Sequence, residues 1–109
     1  MKKQDLVREC KKNYDDMAQK DYLGYPNFAS WLLNHYILTY NYLYRRVVNL
    51  VINNNLQNFK KNIKRELKQN YRKIWMDFYG CWDIVDWDFL FNYWRQEAFD
   101  YSAEMMAGY

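Results

Sequence analysis

From Leu56 to Phe78 the apolar residues Leu56, Phe59, Ile63, Leu67, Tyr71, Ile74 and Phe78 follow one another at spacings of 3, 4, 4, 4, 3 and 4. That rhythm matches the 3.6-residue turn of an α-helix and not the two-residue alternation of a half-buried strand. A chain with such a stretch must bury one long apolar stripe, and the rest of the sequence supplies further helices to cover it. The spacing predicts an amphipathic first helix over residues 3–20, with Leu6, Val7, Cys10, Tyr14, Met17 and Ala18 on one side. A second helix is expected over 27–53 and a third over 56–79, closed by Gly80. The fourth, over 84–106, carries Trp87, Leu90, Phe91, Trp94, Ala98, Tyr101 and Met105 on its stripe. The expected fold is all-α, a compact bundle of about four antiparallel helices in a single domain over 1–109.

Three Gly and one Pro exclude collagen-like and linker-like chains, and a half-hydrophobic composition excludes disorder. The clearest loop runs from Asp21 to Asn27 and holds the only Pro, with Asn27 placed to cap the helix that follows. Asn53, Asn54 and Asn55 mark the next break. Between them the second segment is apolar on most sides, with Asn27, Asn34, Asn41, Arg45 and Asn49 forming one polar stripe. A helix of that kind belongs at the centre of a bundle or against a second subunit, so a homodimer is expected. Asn34, His35, Asn41, Arg45 and Arg46 interrupt the apolar stretch from Phe28 to Ile52 and exclude a membrane span. The N-terminal Met1-Lys2-Lys3-Gln4-Asp5 runs into further charge where a signal peptide needs apolar residues, so a cytoplasmic protein of a bacterial host is expected.

The net charge of +3 hides a sharp asymmetry. Residues 56–75 carry seven positive charges and one negative, and residues 76–109 carry one positive and seven negative. On the third helix Lys61, Lys64, Arg65, Lys68 and Arg72 project within a sector of about 100°, and Trp75 falls in the same sector. Cations so arranged suit phosphates of DNA or RNA, with Trp75 free to stack on a base. The plainer alternative is a solvated face balanced by the acidic fourth helix. On that fourth helix Asp86, Asp88, Phe89, Tyr93, Gln96 and Asp100 make an acidic and aromatic side. It suits a basic partner, or else Phe89 and Tyr93 form a second core contact. Aspartates at a helix start are explained by capping and the helix dipole better than by a metal site.

Catalytic chemistry finds little purchase. The single histidine, His35, lies in the most apolar helix, where a packed imidazole is expected in place of a general base. Cys10 and Cys81 lack paired ligand spacing, and without secretory context they are expected to be reduced and packed. A non-enzymatic binding protein without cofactor or metal follows. Aromatics make up 21% of the chain, more than a core of this size needs, so some are expected at the surface. Phe, Tyr, Met, Ile, Asn and Lys supply 50 of the 109 residues, which points to an AT-rich source such as a low-GC bacterium, its phages or its plasmids. In general character the chain resembles the small accessory proteins of phages and mobile elements, among them inhibitors of host defence such as anti-CRISPR proteins. That resemblance implies a host protein or ribonucleoprotein complex as partner, bound through the charged and aromatic helix faces. A nucleic-acid-binding regulator using the basic helix, and a helical bundle resembling bacteriocin-immunity proteins, are the alternatives.

Overall fold

The computed structural model describes the backbone of residues 13–107 and the side chains of residues 13–100. Residues 13–17 are helical, and two short antiparallel strands follow, β1 (Lys20–Tyr22) and β2 (Tyr25–Asn27), in the register Lys20 to Asn27 and Tyr22 to Tyr25. Five helices complete the order: α1 (Phe28–Thr39), α2 (Asn41–Asn53), α3 (Leu56–Asn70), α4 (Arg72–Asp77) and α5 (Trp87–Ala107). The fold is thus the expected all-α bundle, with a hairpin added at its entrance.

That hairpin replaces the loop expected at Asp21 to Asn27. Its turn residues Leu23 and Gly24 have φ of 47° and 85°. Positive φ at both central positions matches the right-handed twist of the strands it joins, as in a type I′ turn. Leu-Gly lacks the Asn-Gly signature of such turns, and strands of three residues are too short to show alternation. The predicted first helix falls mostly outside the described residues. Within them it stops at Met17, and Lys20 belongs to β1.

Both long predicted helices are broken. Tyr40, with φ −102° and ψ 107°, separates α1 from α2, and Tyr71, with φ −135° and ψ 56°, separates α3 from α4. Neither site holds Gly or Pro, so the sequence carries no breaker there. The break at Tyr40 resets the helical phase and dissolves the predicted polar stripe: Asn34 is fully buried, while Asn41, Arg45 and Asn49 are exposed. After Asp77 a series of turns containing Gly80, at φ 78°, leads to Trp87.

A single connected core joins Met17, Leu33 and Ile37 to Leu43, Val47 and Val51, then to Phe59, Ile63 and Leu67, and on to Phe78, Leu90, Trp94 and Ala98. The helix α2 lies along α5, and α3 covers both. Each Leu or Phe fully buried this way contributes about 1.5–3 kcal/mol.

Polar side chains tie the elements together at defined points. Asn27 caps α1 as expected, accepting from the Ser30 backbone N–H at 2.9 Å, and its Nδ2 donates to the Ile84 carbonyl at 2.8 Å. The buried Ser30 hydroxyl donates to Asn27 Oδ1 and accepts from the Asp86 backbone N–H, both at 2.8 Å. Deeper in, Trp94 Nε1 donates to Asn34 Oδ1 and Asn34 Nδ2 donates to the Tyr25 hydroxyl, each at 2.7 Å. Burying an asparagine is costly unless its amide is satisfied, and here both ends are.

Candidate functional site

The orientation of α3 follows from three residues. Phe59, Ile63 and Leu67, four apart, are all buried, so they hold one side of the helix on the core. At 100° per residue, Lys61, Lys64, Arg65 and Lys68 are then carried to the side facing away from it. Lys61, Arg65 and Lys68 are exposed, and Lys64 is half-buried. The one acid of α3, Glu66, lies on a different flank. Its Oε2 is 3.7 Å from Arg46 Nε of α2, the only ion pair among the described residues, and its Oε1 accepts from Asn70 Nδ2 at 3.2 Å. Glu66 therefore neutralises none of the four cations. The acidic fourth segment does not do so either, since among the described residues no carboxylate of α5 pairs with a lysine or arginine of α3.

Two expected members of the basic face are placed differently. Arg72 is exposed but follows the break at Tyr71, so it belongs to α4 and not to one straight stripe with Lys68. Trp75 is half-buried, with its ring centroid 4.9 Å from that of Trp82 and Lys68 Nζ 5.8 Å above it. Trp82 in turn stacks on Phe78 at 4.9 Å and lies 6.2 Å from Trp87. The indole expected to stack on a base is thus engaged within the protein.

The acidic and aromatic side of α5 is divided between structural and exposed residues. Asp86 caps the helix, its Oδ1 accepting from the Phe89 backbone N–H at 3.0 Å. Phe89 and Tyr93 turn inward against Tyr25, at ring distances of 5.3 and 6.4 Å, which is the second core contact foreseen as the alternative. Burial, with the Glu97 carboxylate second, raises the Tyr93 phenol above its usual range. Gln96 Nε2 donates to Asp100 Oδ1 at 3.0 Å, and Asp88 and Asp100 are exposed. These residues do not make one continuous acidic surface.

An apolar surface feature was not legible beforehand. Ile52, 59% exposed, and Phe99, 70% exposed, flank a groove of about 290 Å³ whose other walls are Val51, Ala98 and Arg95. Ile52 follows a buried residue on α2, and Phe99 follows one on α5, so helical periodicity alone gives no reason for two large side chains to meet outside the core.

His35, expected inside the apolar helix, is exposed and lies parallel to Trp31 at 5.0 Å and 9°. At 100° per residue His35 falls opposite the side of α1 that Ala29, Ser30, Leu33, Asn34 and Ile37 bury. Cys81 is buried and accepts from Asn13 Nδ2 at 3.5 Å, whereas Cys10 lies outside the described residues. Among the described residues no three His, Cys, Asp or Glu side chains group as a metal would require, and no helix is long and apolar enough to cross a membrane. Comparison of the chain with protein-family models, with curated proteins and with solved structures finds no match.

Proposed function

We propose that the chain is a non-enzymatic binding protein of phage or mobile-element type, an inhibitor of a host defence complex in the manner of anti-CRISPR proteins. Its basic α3 face engages the nucleic-acid component of that complex. The observation that carries this reading is the set of Lys61, Lys64, Arg65 and Lys68 on the outer side of α3, none of which has a carboxylate partner among the described residues. Like charges crowded at three- and four-residue spacing repel one another, so they destabilise the free protein slightly and gain most when phosphates neutralise them. The AT-rich composition supports the kind of source.

A second reading has its own observation. The Ile52 and Phe99 groove leaves two large apolar side chains in water beside Arg95, a combination enriched where proteins meet. Contact with a protein subunit of the target through this groove is compatible with the same inhibitory role.

The test is affinity capture of the tagged chain from a low-GC bacterial lysate, with half of the sample treated with nuclease. The first reading expects nucleic acid in the untreated eluate and its loss when Lys61→Glu, Lys64→Glu and Lys68→Glu are combined. A stoichiometric protein that survives nuclease, tolerates those changes and is lost with Ile52→Asp and Phe99→Asp would transfer the function to the groove. Retention of neither would remove both readings.

A further inference from the structure

We infer that the nucleic acid met by α3 is double-helical, gripped by its paired phosphate backbones and not by unstacked bases; this rests on the basic-face reading above. Proteins that hold single strands combine cations with aromatic rings on which successive bases stack. The cations are present here, and the one ring in their sector among the described residues is already engaged. Trp75, the aromatic residue beside the stripe, is half-buried and in contact with internal partners, with Trp82 at 4.9 Å and the Lys68 ammonium 5.8 Å from its ring centroid. Releasing it for a base would give up both contacts. The exposed Tyr42 does not take its place. It lines a groove with Arg46, Glu66, Asn70 and Tyr71, on the flank of α3 that carries the helix's one acid, and a phosphate strand passing there meets Glu66.

What remains is a straight rod of charge. From Lys61 to Lys68 the helix rises about 10.5 Å, and over that length a B-form duplex presents about six phosphates on its two strands. All four cations on a rigid helix find a phosphate within that number without any base leaving its stack, whereas one strand presents about three over the same rise. A lone strand offers fewer charges per length and must be ordered to follow the helix.

The experiment measures fluorescence anisotropy of labelled 20-mers against the purified full chain. The probes are a DNA duplex, an RNA duplex of the same sequence, and each single strand. In dilute salt both duplexes are expected to bind at least about tenfold more tightly than the single strands. With four phosphates neutralised, the log–log salt slope on duplex DNA should be about −3.6, or a loss of about 150-fold between 50 and 200 mM salt. The single variants Lys61→Gln and Lys64→Gln, both at the surface, should each make that slope shallower by about 0.9, with circular dichroism confirming an unchanged fold. Tighter binding to single strands, abolished by Trp75→Leu, overturns the duplex inference and leaves the basic-face reading standing. No retention of any probe in dilute salt overturns both. A preference between the DNA and RNA duplexes identifies which double helix the face suits, and either choice supports the inference.

Discussion

The ring of Tyr40 lies 5.8 Å from the ring of Tyr71, and each of these residues is the one at which a long helix breaks. The two interruptions are thus in contact, and α1 and α2 change direction where α3 and α4 do. Tyr40 is 44% exposed and Tyr71 half-buried, so the pair closes the edge of the core and is not part of its centre. Breaking a helix forfeits backbone hydrogen bonds. Here the Tyr40 backbone N–H still reaches the Tyr36 carbonyl at 3.3 Å, and that of Tyr71 reaches the Leu67 carbonyl at 2.9 Å, so both corners keep their last turn.

The contact predicts coupling. Tyr40→Ala and Tyr71→Ala should each destabilise the fold, and the double variant should cost about 0.5–1.5 kcal/mol less than the sum, the usual worth of an aromatic pair. Urea unfolding of the four proteins in the cycle measures this. Strict additivity would mean that the two breaks are set independently.

The buried asparagine predicts a larger effect. Asn34→Ala removes the acceptor of the Trp94 indole and the donor to Tyr25, leaving polar groups of both without their partner, at a cost of about 2–4 kcal/mol. Trp94→Phe should also destabilise, by opening space and leaving Asn34 Oδ1 unsatisfied. A loss below 1 kcal/mol in Asn34→Ala, by chemical denaturation, would show that water replaces the amide at ~no penalty.

A pH dependence follows from Tyr36. Its hydroxyl donates to Asp77 Oδ2 at 2.7 Å, and that bond, followed by burial and the carboxylate charge, pushes the phenol up from 10.0 to about 12. The folded state therefore keeps the proton after the unfolded chain has lost it. This contribution to stability is complete below pH 10.0 and disappears as the pH rises through about 12. Tyr36→Phe should flatten the fall in unfolding midpoint across that window, although Tyr71 and Tyr93, also raised, leave a residual slope. Parallel curves for the two proteins would show that the bond to Asp77 is not what holds the proton.

The hairpin turn predicts a stabilising change. Leu23 holds φ 47° and is 70% exposed, so it bears the strain of a left-handed backbone with little packing in return. Leu23→Asn, which creates the preferred Asn-Gly turn, should raise stability by about 0.5–1 kcal/mol. A thermal midpoint that falls instead would assign Leu23 a packing role that outweighs its backbone.

Legibility varied by element for physical reasons. The stripe Phe59, Ile63 and Leu67 was visible because burial on one helix face imposes its own period, and all three are buried; Ile74 and Phe78 are buried as well, beyond the break at Tyr71, while Leu56 and Tyr71 are half-buried. The Asn27 cap was visible because its acceptor lies three residues from its donor. Asp86, expected on a partner-binding side of a helix over 84–106, caps that helix instead, because the helix starts at Trp87. Asn34 was misplaced because its partners Tyr25 and Trp94 are 9 and 60 residues away, and no local pattern announces them. Within the candidate site, Lys61, Lys64, Arg65 and Lys68 were found from spacing alone, whereas the engagement of Trp75 depends on Trp82, which arrives through a later turn.

The sequence by itself determined what depends on neighbours within a helical turn or two: the all-α class, the buried side of α3, the outward direction of its four cations, and the Asn27 cap. Tertiary structure alone decided where the helices break, which asparagine goes inside, and whether an indole faces solvent or another ring. Each of those outcomes is a competition between a weak local preference and contacts made across the bundle. Helix propensities differ by tenths of a kcal/mol, and a single buried aromatic contact or satisfied amide exceeds them by about severalfold.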